Sequence, residues 1–316
     1  MKKSTDASSV VFESDRAASR IKGSEILAQA DKTMCAAAGI NRNIVAFSLF
    51  GHEPGYCECA ILNANEMSRI YPGWEMWVFH DDSVPQSNLE RLKAAGATTA
   101  KAKDWGVEHW PGTFWRFAAV LIPKSRMVIF RDADSVVSLR ERNLVVQWLD
   151  SGKPFHVIRD WYSHTDLILA GLWGAYAPFI GNIDRWVESY IKDKKLHPTH
   201  ADQQFLAEYV WPRIRNYALV HDSVHDGENI VSFEPVKTAN TGQDALGGYR
   251  LKQYEIKSDP PYDGEYNLVL VDESEKPVFD YARRFVDGKD IFLLPYGYDE
   301  HISNGDWKLL IRKRTK

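Results

Sequence analysis

Two aspartates one residue apart, Asp132 and Asp134, follow directly after a short apolar segment at residues 127–130. An apolar run of this length, bounded by polar residues, is typical of a buried strand in a parallel sheet. Ligands of open parallel sheets bind beyond the carboxyl ends of the strands, which is where both carboxylates would lie. Two adjacent carboxylates repel each other unless a cation lies between them. Oxygen ligands of this kind suit Mg²⁺ or Mn²⁺, and such ions are commonly shared with substrate phosphates. The pattern therefore predicts a divalent metal that acts as a Lewis acid on a phosphate leaving group.

The same tripeptide also fits a solvated turn in which the aspartates and Ser135 cap a helix. What favours the metal site is the place of the pair at a strand end with a helix upstream. The elements that must position it alternate along the chain. Strand-like segments fall at 44–49, 75–80, 127–130 and 155–158, and helix-like segments at 56–70, 87–95, 115–122, 140–151 and 201–209. Alternation at this spacing predicts an α/β fold with a mainly parallel sheet. Ser87 and Glu90 resemble a capping box at the start of the second helix.

Three regions are expected along the chain. Residues 1–42 are charged and rich in Ala and Ser, and we expect a helical extension there. Residues 43–229 form the α/β core. From residue 230 to residue 316, short β-like pieces are separated by clusters of Gly, Pro and Asp, which predicts a smaller β-rich C-terminal region.

Composition excludes some classes of partner. The 316 residues are 44% hydrophobic and 26% charged, as in ordinary globular proteins. A formal net charge of -4 provides no bulk attraction for nucleic acid or for an anionic membrane. No apolar run approaches the roughly 18 residues of a transmembrane span. The 3 cysteines are an odd number without a second Cys pair, which favours reduced thiols. We therefore expect a cytoplasmic protein that binds no nucleic acid and has no transmembrane segment.

The segment at 127–135 resembles the strand and Asp-x-Asp motif of GT-A glycosyltransferases, most closely the glycogenin-like branch. That branch carries a basic residue on the helix sixteen positions before the first Asp, and Arg116 stands sixteen positions before Asp132. A guanidinium there could make bidentate contacts with phosphate or carboxylate. The resemblance implies a GT-A fold, a Rossmann-like nucleotide-diphospho-sugar transferase core, over residues 43–229. It also implies that Asp132, Ala133 and Arg116 contact the nucleotide-sugar.

Three further pieces follow in the order of that branch. Gly171 resembles the small-residue turn that lets the backbone approach the donor sugar, as a residue without Cβ can. Asp202, with Gln203, resembles the Asp-Gln pair whose carboxylate faces the reacting sugar, although an Asp at a helix start is also stabilised by the helix dipole. His221 resembles the third metal ligand, with Asp222 and His225 as substitutes.

The ends of the first two strands correspond to the base and ribose site of GT-A enzymes. Phe47 and Ser48 end the first of them, and Asp81 and Asp82 end the second. An acidic side chain there could accept hydrogen bonds from ribose hydroxyls. The alternative is that both aspartates cap the turn before Pro85.

The segment at 159–164 follows another strand end and mixes charged and aromatic residues, which suits a sugar. An inverting enzyme needs a base on the acceptor hydroxyl, and Asp160 and His164 are the candidates. In a retaining enzyme, Asp202 would stabilise the oxocarbenium-like centre instead. The chain has Leu169-Ala170 where the branch has Asn before the Gly, and it lacks the Gly-x-x-Lys-Pro-Trp element after the metal His. Stereochemistry therefore stays open.

The expected activity is transfer of a sugar from a UDP- or GDP-linked donor to a hydroxyl of a carbohydrate or glycolipid acceptor, with Mn²⁺ or Mg²⁺. The expected setting is surface polysaccharide or glycan synthesis, and residues 230–316 could form part of the acceptor site. One rival is a nucleotidyltransferase of the same fold, but the loop at 50–55 lacks the Lys and Arg that such enzymes carry. The other is a non-catalytic carbohydrate-binding protein, for which 11 Trp, 14 Tyr and 14 Phe would suffice.

Overall fold

In a computed structural model the chain is described over residues 39–162, 164–193, 200–227, 230–235, 245–248, 250–259 and 265–314. Residues 1–38 of the predicted N-terminal helical extension lie outside these ranges. The centre is an eight-stranded sheet with the strand order β3-β2-β1-β4-β6-β5-β7-β8. Its strands are β1 (Arg42–Leu49), β2 (Glu75–His80), β3 (Thr98–Lys101), β4 (Ser125–Arg131), β5 (Phe155–Arg159), β6 (Trp173–Tyr176), β7 (Ala218–Asp222) and β8 (Ile230–Ser232).

Strand β6 runs antiparallel to both of its neighbours, β4 and β5. The remaining neighbouring pairs of the sheet are parallel. The predicted α/β fold with a mainly parallel sheet is therefore confirmed. The four predicted strand segments lie in β1, β2, β4 and β5. Strands β1 and β4 are buried over most of their length because both faces of the sheet are covered.

Helices cover both faces. The α-helices are α1 (Pro54–Ile70), α2 (Gln86–Ala94), α3 (Leu139–Ser151), α4 (Ile183–Asp193), α5 (Ala201–Phe205), α6 (Trp211–Ile214) and α7 (Tyr296–Asn304). Within the described ranges, 3₁₀ helices span Ala102–Trp105, Gly112–Leu121 and Ala177–Phe179, and a π-helical turn at Leu206–Val210 joins α5 to α6. Residues of β1 alternate between the two cores: Ile44 and Ala46 pack on one face, Val45 and Phe47 on the other. In the described parts of the chain, no helix is long and apolar enough to cross a membrane.

Two helix predictions need correction. Helix α2 begins at Gln86 after Pro85, and no side-chain cap from the described residues closes its start, so the predicted capping box at Ser87 does not form. The fixed φ of proline, here -56°, sets the helix start instead. The helix predicted at 115–122 is a 3₁₀ helix that begins earlier, at Gly112. By contrast, α3 ends as predicted, with Gly152 in the left-handed conformation.

The C-terminal region contains two further three-stranded sheets, ordered β11-β10-β14 and β12-β13-β9. Their strands are β9 (Leu251–Lys257), β10 (Tyr266–Val271), β11 (Pro277–Ala282), β12 (Phe285–Val286), β13 (Lys289–Pro295) and β14 (Lys308–Lys313). The predicted β-rich C-terminal region is thus confirmed. Strand β8, which begins at residue 230, pairs with β7 at the edge of the large sheet, although the predicted division assigns it to the C-terminal region.

A buried carboxylate ties the C-terminal region to the core. Glu58 of α1 accepts hydrogen bonds from the hydroxyls of Tyr281 and Tyr298, the latter at 2.8 Å. It also accepts two N–H groups of Arg91, at 2.6 and 2.7 Å. Because each partner compensates the desolvated charge, these contacts join α1, α2, β11 and α7.

Candidate active site

The candidate active site lies between β1 and β4, at the point of the sheet where successive strands begin to be added on the opposite side. From β1 the chain proceeds outward to β2 and β3, and from β4 it proceeds to the opposite side. Parallel sheets place their ligand crevice at such a switch point, outside the carboxyl ends of the strands. A cavity of about 620 Å³ lies there. Its described lining includes eight of the residues predicted from the sequence: Ser48, Arg116, Asp132, Ala133, Asp134, His164, Gly171 and Asp202.

The guanidinium of Arg116 joins two of the predicted carboxylates. It is fully buried, forms an ion pair with Asp132 and donates a second hydrogen bond to Asp202 Oδ2 at 2.7 Å. Its backbone N–H donates to Ser48 Oγ at 2.9 Å, which ties the 3₁₀ helix to the end of β1. Burial by itself lowers the pKa of Arg116, but the charges of Asp132 and Asp202 outweigh burial and raise it. Burial raises the pKa of Asp202, and the Arg116 charge opposes that shift.

Asp132 and Asp134 repel each other, and the charge of Arg116 offsets this repulsion only in part. The side chain of Asp132 is 42% exposed, and Asp134 is half-buried beside it. Burial, together with the charge of Asp132, raises the pKa of Asp134 to about 7. A divalent ion between the two carboxylates would remove this repulsion. No group of three or more His, Cys, Asp or Glu side chains within the described ranges could hold a metal ion. The two carboxylates are a donor set that fits an ion such as Mg²⁺ or Mn²⁺, which takes its remaining ligands from phosphate oxygens and water.

A buried asparagine holds the loop that carries the pair. Asn63 Nδ2 donates to the carbonyl oxygen of Ser135 at 2.7 Å, and Asn63 Oδ1 accepts the N–H of Val137 at 2.9 Å. Ser135 Oγ in turn donates to the carbonyl oxygen of Asp132 at 3.0 Å. Sequence reasoning missed Asn63. A polar residue among the apolar residues of α1 was the available signal, because a buried amide needs partners.

Gly171 lies against the side chain of Asp132. A Cβ at this position would lie 1.9 Å from Asp132 Oδ2 and 2.5 Å from its Cγ. The turn is also held by a hydrogen bond from the N–H of Ala170 to Gln203 Oε1 at 2.7 Å. The structure thus shows a close approach of Gly171 to the carboxylate of Asp132, whereas the predicted approach of its backbone to the donor sugar stays a prediction.

The predicted ribose contacts lie elsewhere. Phe47 is fully buried in the core. Of the four residues predicted to contact the base and ribose, Ser48 is the one found among the described lining residues. Asp81 Oδ1 accepts the N–H of Ser83 at 3.0 Å, which is the turn-capping alternative. Asp82 forms an ion pair with Lys101 at 2.6 Å. Neither aspartate is among the described residues that line the cavity.

The two candidate bases differ in access. Asp160 is fully buried, and its carboxylate is bound by the guanidinium of Arg140 and by the N–H of Leu246 at 2.7 Å. It is not among the described lining residues, so the structure does not bring it to the cavity. His164 does line the cavity. Burial lowers the pKa of His164, against the opposing charges of Asp160 and Asp166, so a neutral imidazole is favoured there.

The prediction that His221 is the third metal ligand needs correction. His221 is buried, with Nδ1 at 2.8 Å from His156 Nε2 and Nε2 at 3.0 Å from Gln147 Oε1. Its substitute Asp222 is also buried and accepts the N–H groups of Val224 and His225, each at 2.9 Å. None of the three predicted alternatives is among the described residues of the cavity lining. The reason is strand order: β6 and β5 lie between β4, which carries the aspartates, and β7, which carries His221.

The buried histidine pair predicts acid sensitivity. Burial lowers the pKa of His221 from 6.5 to about 4. Between these values the unfolded chain binds a proton that the folded chain does not, so stability is complete above 6.5 and falls as pH drops towards 4. His221→Gln should therefore lose less stability than the wild type between pH 7.5 and pH 5, measured by thermal unfolding. His52→Gln, at an exposed position, serves as the control. The prediction would be contradicted if the stability of His221→Gln depended on pH in the same way as that of the wild type.

An exposed aromatic residue at the cavity mouth was also missed. Phe50 follows β1, is 46% exposed and lines the cavity. Its ring packs edge-on against Trp115, with 5.9 Å between ring centroids. Gly112 leaves room for it, because a Cβ there would come within 2.6 Å of the Phe50 ring. A large aromatic directly after the first strand was the signal in the sequence.

Comparisons with known proteins give fold-level likenesses only. No protein-family model matches the sequence, and no curated protein matches it. A solved glycosyltransferase involved in glycosylation of the major capsid of PBCV-1 is 17% identical, with 58% of this chain and 82% of that chain covered and a TM-score of 0.39. Glucosyl-3-phosphoglycerate synthase from Mycobacterium tuberculosis, in complex with Mn²⁺, UDP and glucosyl-3-phosphoglycerate, is 13% identical over 66% and 78% of the two chains, with a TM-score of 0.41.

A third solved structure, 4-diphosphocytidyl-2C-methyl-D-erythritolsynthase from Anaerococcus prevotii, is 10% identical, with 63% of this chain and 92% of that chain covered and a TM-score of 0.38. Likenesses this remote do not discriminate between sugar transfer and nucleotidyl transfer. Function is therefore argued from the site of this chain.

Proposed function

We propose that the protein is a metal-dependent glycosyltransferase of the GT-A type, which transfers a sugar from a nucleotide-diphospho-sugar to an acceptor hydroxyl. The observation that carries the proposal is the pair Asp132 and Asp134, which lines a cavity of about 620 Å³ at the switch point of a mainly parallel sheet. A cavity of that volume is in the range of small-molecule sites.

The charge of the cavity supports metal dependence. Its described lining contains the carboxylates of Glu53, Asp132, Asp134 and Asp202, against the single guanidinium of Arg116. A diphosphate would be repelled by such a lining, because like charges at close range are unfavourable in a partly desolvated site. A divalent cation at Asp132 and Asp134 would reduce that repulsion. We therefore propose that Asp132 and Asp134 hold Mn²⁺ or Mg²⁺ together with the diphosphate of the donor.

In this mechanism the chain binds the donor and stabilises charge. The ion at Asp132 and Asp134 would neutralise the leaving diphosphate. Arg116 contributes a further positive charge to the same end of the donor. Asp202 faces the cavity beside Arg116, where a carboxylate can stabilise positive charge that develops on the reacting sugar in a retaining reaction. In an inverting reaction His164 is the base that reaches the cavity, since its neutral imidazole can accept the proton of the acceptor hydroxyl.

We propose that the nucleoside end of the donor binds beside the end of β1, where Ser48 and Phe50 line the cavity. We expect the ring of Phe50 to stack on the base. Phe50→Ala should raise the KM for the donor by about tenfold, because stacking of a base on an aromatic ring contributes about 1–3 kcal/mol. Steady-state kinetics of donor hydrolysis measures this. Tyr162→Ala is the matched control, since Tyr162 is 68% exposed and is not among the described lining residues. If the KM for the donor in Phe50→Ala were as low as in Tyr162→Ala, the stacking role would be ruled out.

The proposed function is tested by a screen of UDP- and GDP-sugars for hydrolysis with Mn²⁺, with Mg²⁺ and with EDTA. Donor hydrolysis needs no knowledge of the acceptor. We expect nucleoside diphosphate to be released from one donor class, and we expect EDTA to abolish that release. Sugar affinity without turnover or metal requirement would indicate a binding protein instead. Release of pyrophosphate from a nucleoside triphosphate and a sugar phosphate would indicate a nucleotidyltransferase.

The acceptor, expected to be a carbohydrate or glycolipid, remains a prediction, as do the surface-polysaccharide setting and the cytoplasmic location. The division at residues 42/43 and 229/230, and a role of residues 230–316 in acceptor binding, are likewise proposals.

A further inference from the structure

We infer that Arg116 occupies the metal site as a resident cation, and that the diphosphate of the donor, rather than the metal alone, releases Asp132 from its ion pair with Arg116. This inference rests on the proposed function, since it assigns an order to the binding of metal and donor at the same site. It predicts that the protein binds a divalent cation weakly by itself and much more tightly together with a nucleoside diphosphate.

The first step is the ion pair that the structure contains. Asp132 is one of the two carboxylates that would hold the metal, and its Oδ1 is already bound by Arg116 Nη1. The same guanidinium also donates to Asp202 Oδ2 at 2.7 Å. Arg116 is fully buried, so its charge is poorly screened by water. A divalent cation that approaches Asp132 must therefore compete with a positive charge already in place.

The second step is the incomplete bonding of that guanidinium. Arginine has five N–H donors, and both Nη atoms of Arg116 are used. Its Nε is buried and has no hydrogen-bond partner among the described residues. A buried donor without a partner is unfavourable, which marks this arrangement as one that a better acceptor can displace.

The third step is what a diphosphate supplies. Its oxygens are strong acceptors and match the planar fork of a guanidinium in bidentate geometry. A donor in the cavity would draw Arg116 from Asp132 to the phosphate, and Asp132 would then be free for the ion. Because coupling between two ligands is reciprocal, the metal would also raise the affinity for the diphosphate by the same factor.

The test uses Mn²⁺ alone and Mn²⁺ with UDP or GDP as probes, measured by titration calorimetry on the full chain. Arg116→Met should bind Mn²⁺ alone about tenfold more tightly than the wild type, because Asp132 is released from its ion pair. The tightening of Mn²⁺ binding by the nucleotide should be smaller in Arg116→Met than in the wild type. A residue that only contacts the donor would leave the affinity for Mn²⁺ alone unchanged.

Arg140→Met is the matched control. Arg140 also binds a buried aspartate, Asp160, but neither is among the described residues of the cavity lining. Both substitutions remove one charge and leave a buried carboxylate without its partner, so they carry a similar risk to folding. We expect Arg140→Met to bind Mn²⁺ as the wild type does.

Circular dichroism and thermal unfolding establish that the variants are folded. Should Arg116→Met fail to fold, Arg116→Gln removes the same charge, keeps a polar head group and has the same expected result. Unchanged or weaker binding of Mn²⁺ alone in a folded Arg116 variant overturns the inference. So does an equal gain in affinity from the nucleotide in the wild type and the variant. Failure of the proposed function would show separately, as absence of donor turnover in the wild type, because the Mn²⁺ measurement requires no activity.

Discussion

Asp134→Asn should remove metal-dependent binding of the nucleotide donor while the fold stays intact. The substitution keeps the volume of the side chain and deletes one of the two carboxylates that are proposed to hold the ion. We expect the affinity for UDP or GDP in the presence of Mn²⁺ to fall by at least about 100-fold. Donor hydrolysis should fall with it. Titration calorimetry of Mn²⁺ with each nucleotide measures the binding.

Asp134→Asn should lose nucleotide affinity without losing stability of the fold. Burial and the charge of Asp132 raise the pKa of Asp134 to about 7, so the carboxylate is held in the fold at a cost that a neutral amide avoids. The melting temperature of Asp134→Asn should therefore equal or exceed that of the wild type. Asp150→Asn, at an exposed position at the end of α3, is the control for removal of a carboxylate. Undiminished nucleotide affinity in Asp134→Asn would refute the metal assignment.

Gly171→Ala should displace the other carboxylate without a change in charge. The added Cβ would overlap Asp132 Oδ2 at 1.9 Å and would lie 3.0 Å from the backbone N of Asp132. The hydrogen bond from the N–H of Ala170 to Gln203 restrains movement of the turn. The side chain of Asp132 must therefore move. We expect the affinity for Mn²⁺ with nucleotide to drop by at least about tenfold, and we expect a loss of stability of about 1–3 kcal/mol from overpacking.

The matched control is Gly181→Ala. A Cβ at Gly181 would meet only the carbonyl oxygen of Ala177, at 3.9 Å, which is an ordinary contact. This variant should bind metal and nucleotide as the wild type does. Calorimetry and thermal unfolding of both variants give the comparison. Wild-type affinity in Gly171→Ala would show that the close approach to Asp132 has no part in the site.

The predictions for His221 and Asp160 were wrong for the same physical reason. His221 follows Asp132 in the expected chain order and lies in β7, yet two strands separate it from β4 in the sheet. Strand order depends on pairing between distant segments, and β6, only four residues long, gave no local signal. Asp160 likewise follows a predicted strand, but its carboxylate is compensated by Arg140, twenty positions away along the chain. A partner of this kind is chosen by tertiary packing.

What the sequence determined by itself is local. Apolar runs and their boundaries fixed β1, β2 and β4, and with them the position of Asp132 and Asp134 at a strand end. The resemblance to the glycogenin-like branch, through its spacing of sixteen residues, pointed to Arg116, which the structure brings to Asp132. Only the tertiary structure decided what these groups contact: Arg116 bridges Asp132 and Asp202, Gly171 abuts Asp132, and Asn63 holds the loop. Periodicity is set by near neighbours, whereas those contacts join residues far apart in the chain and exist only once the sheet has assembled.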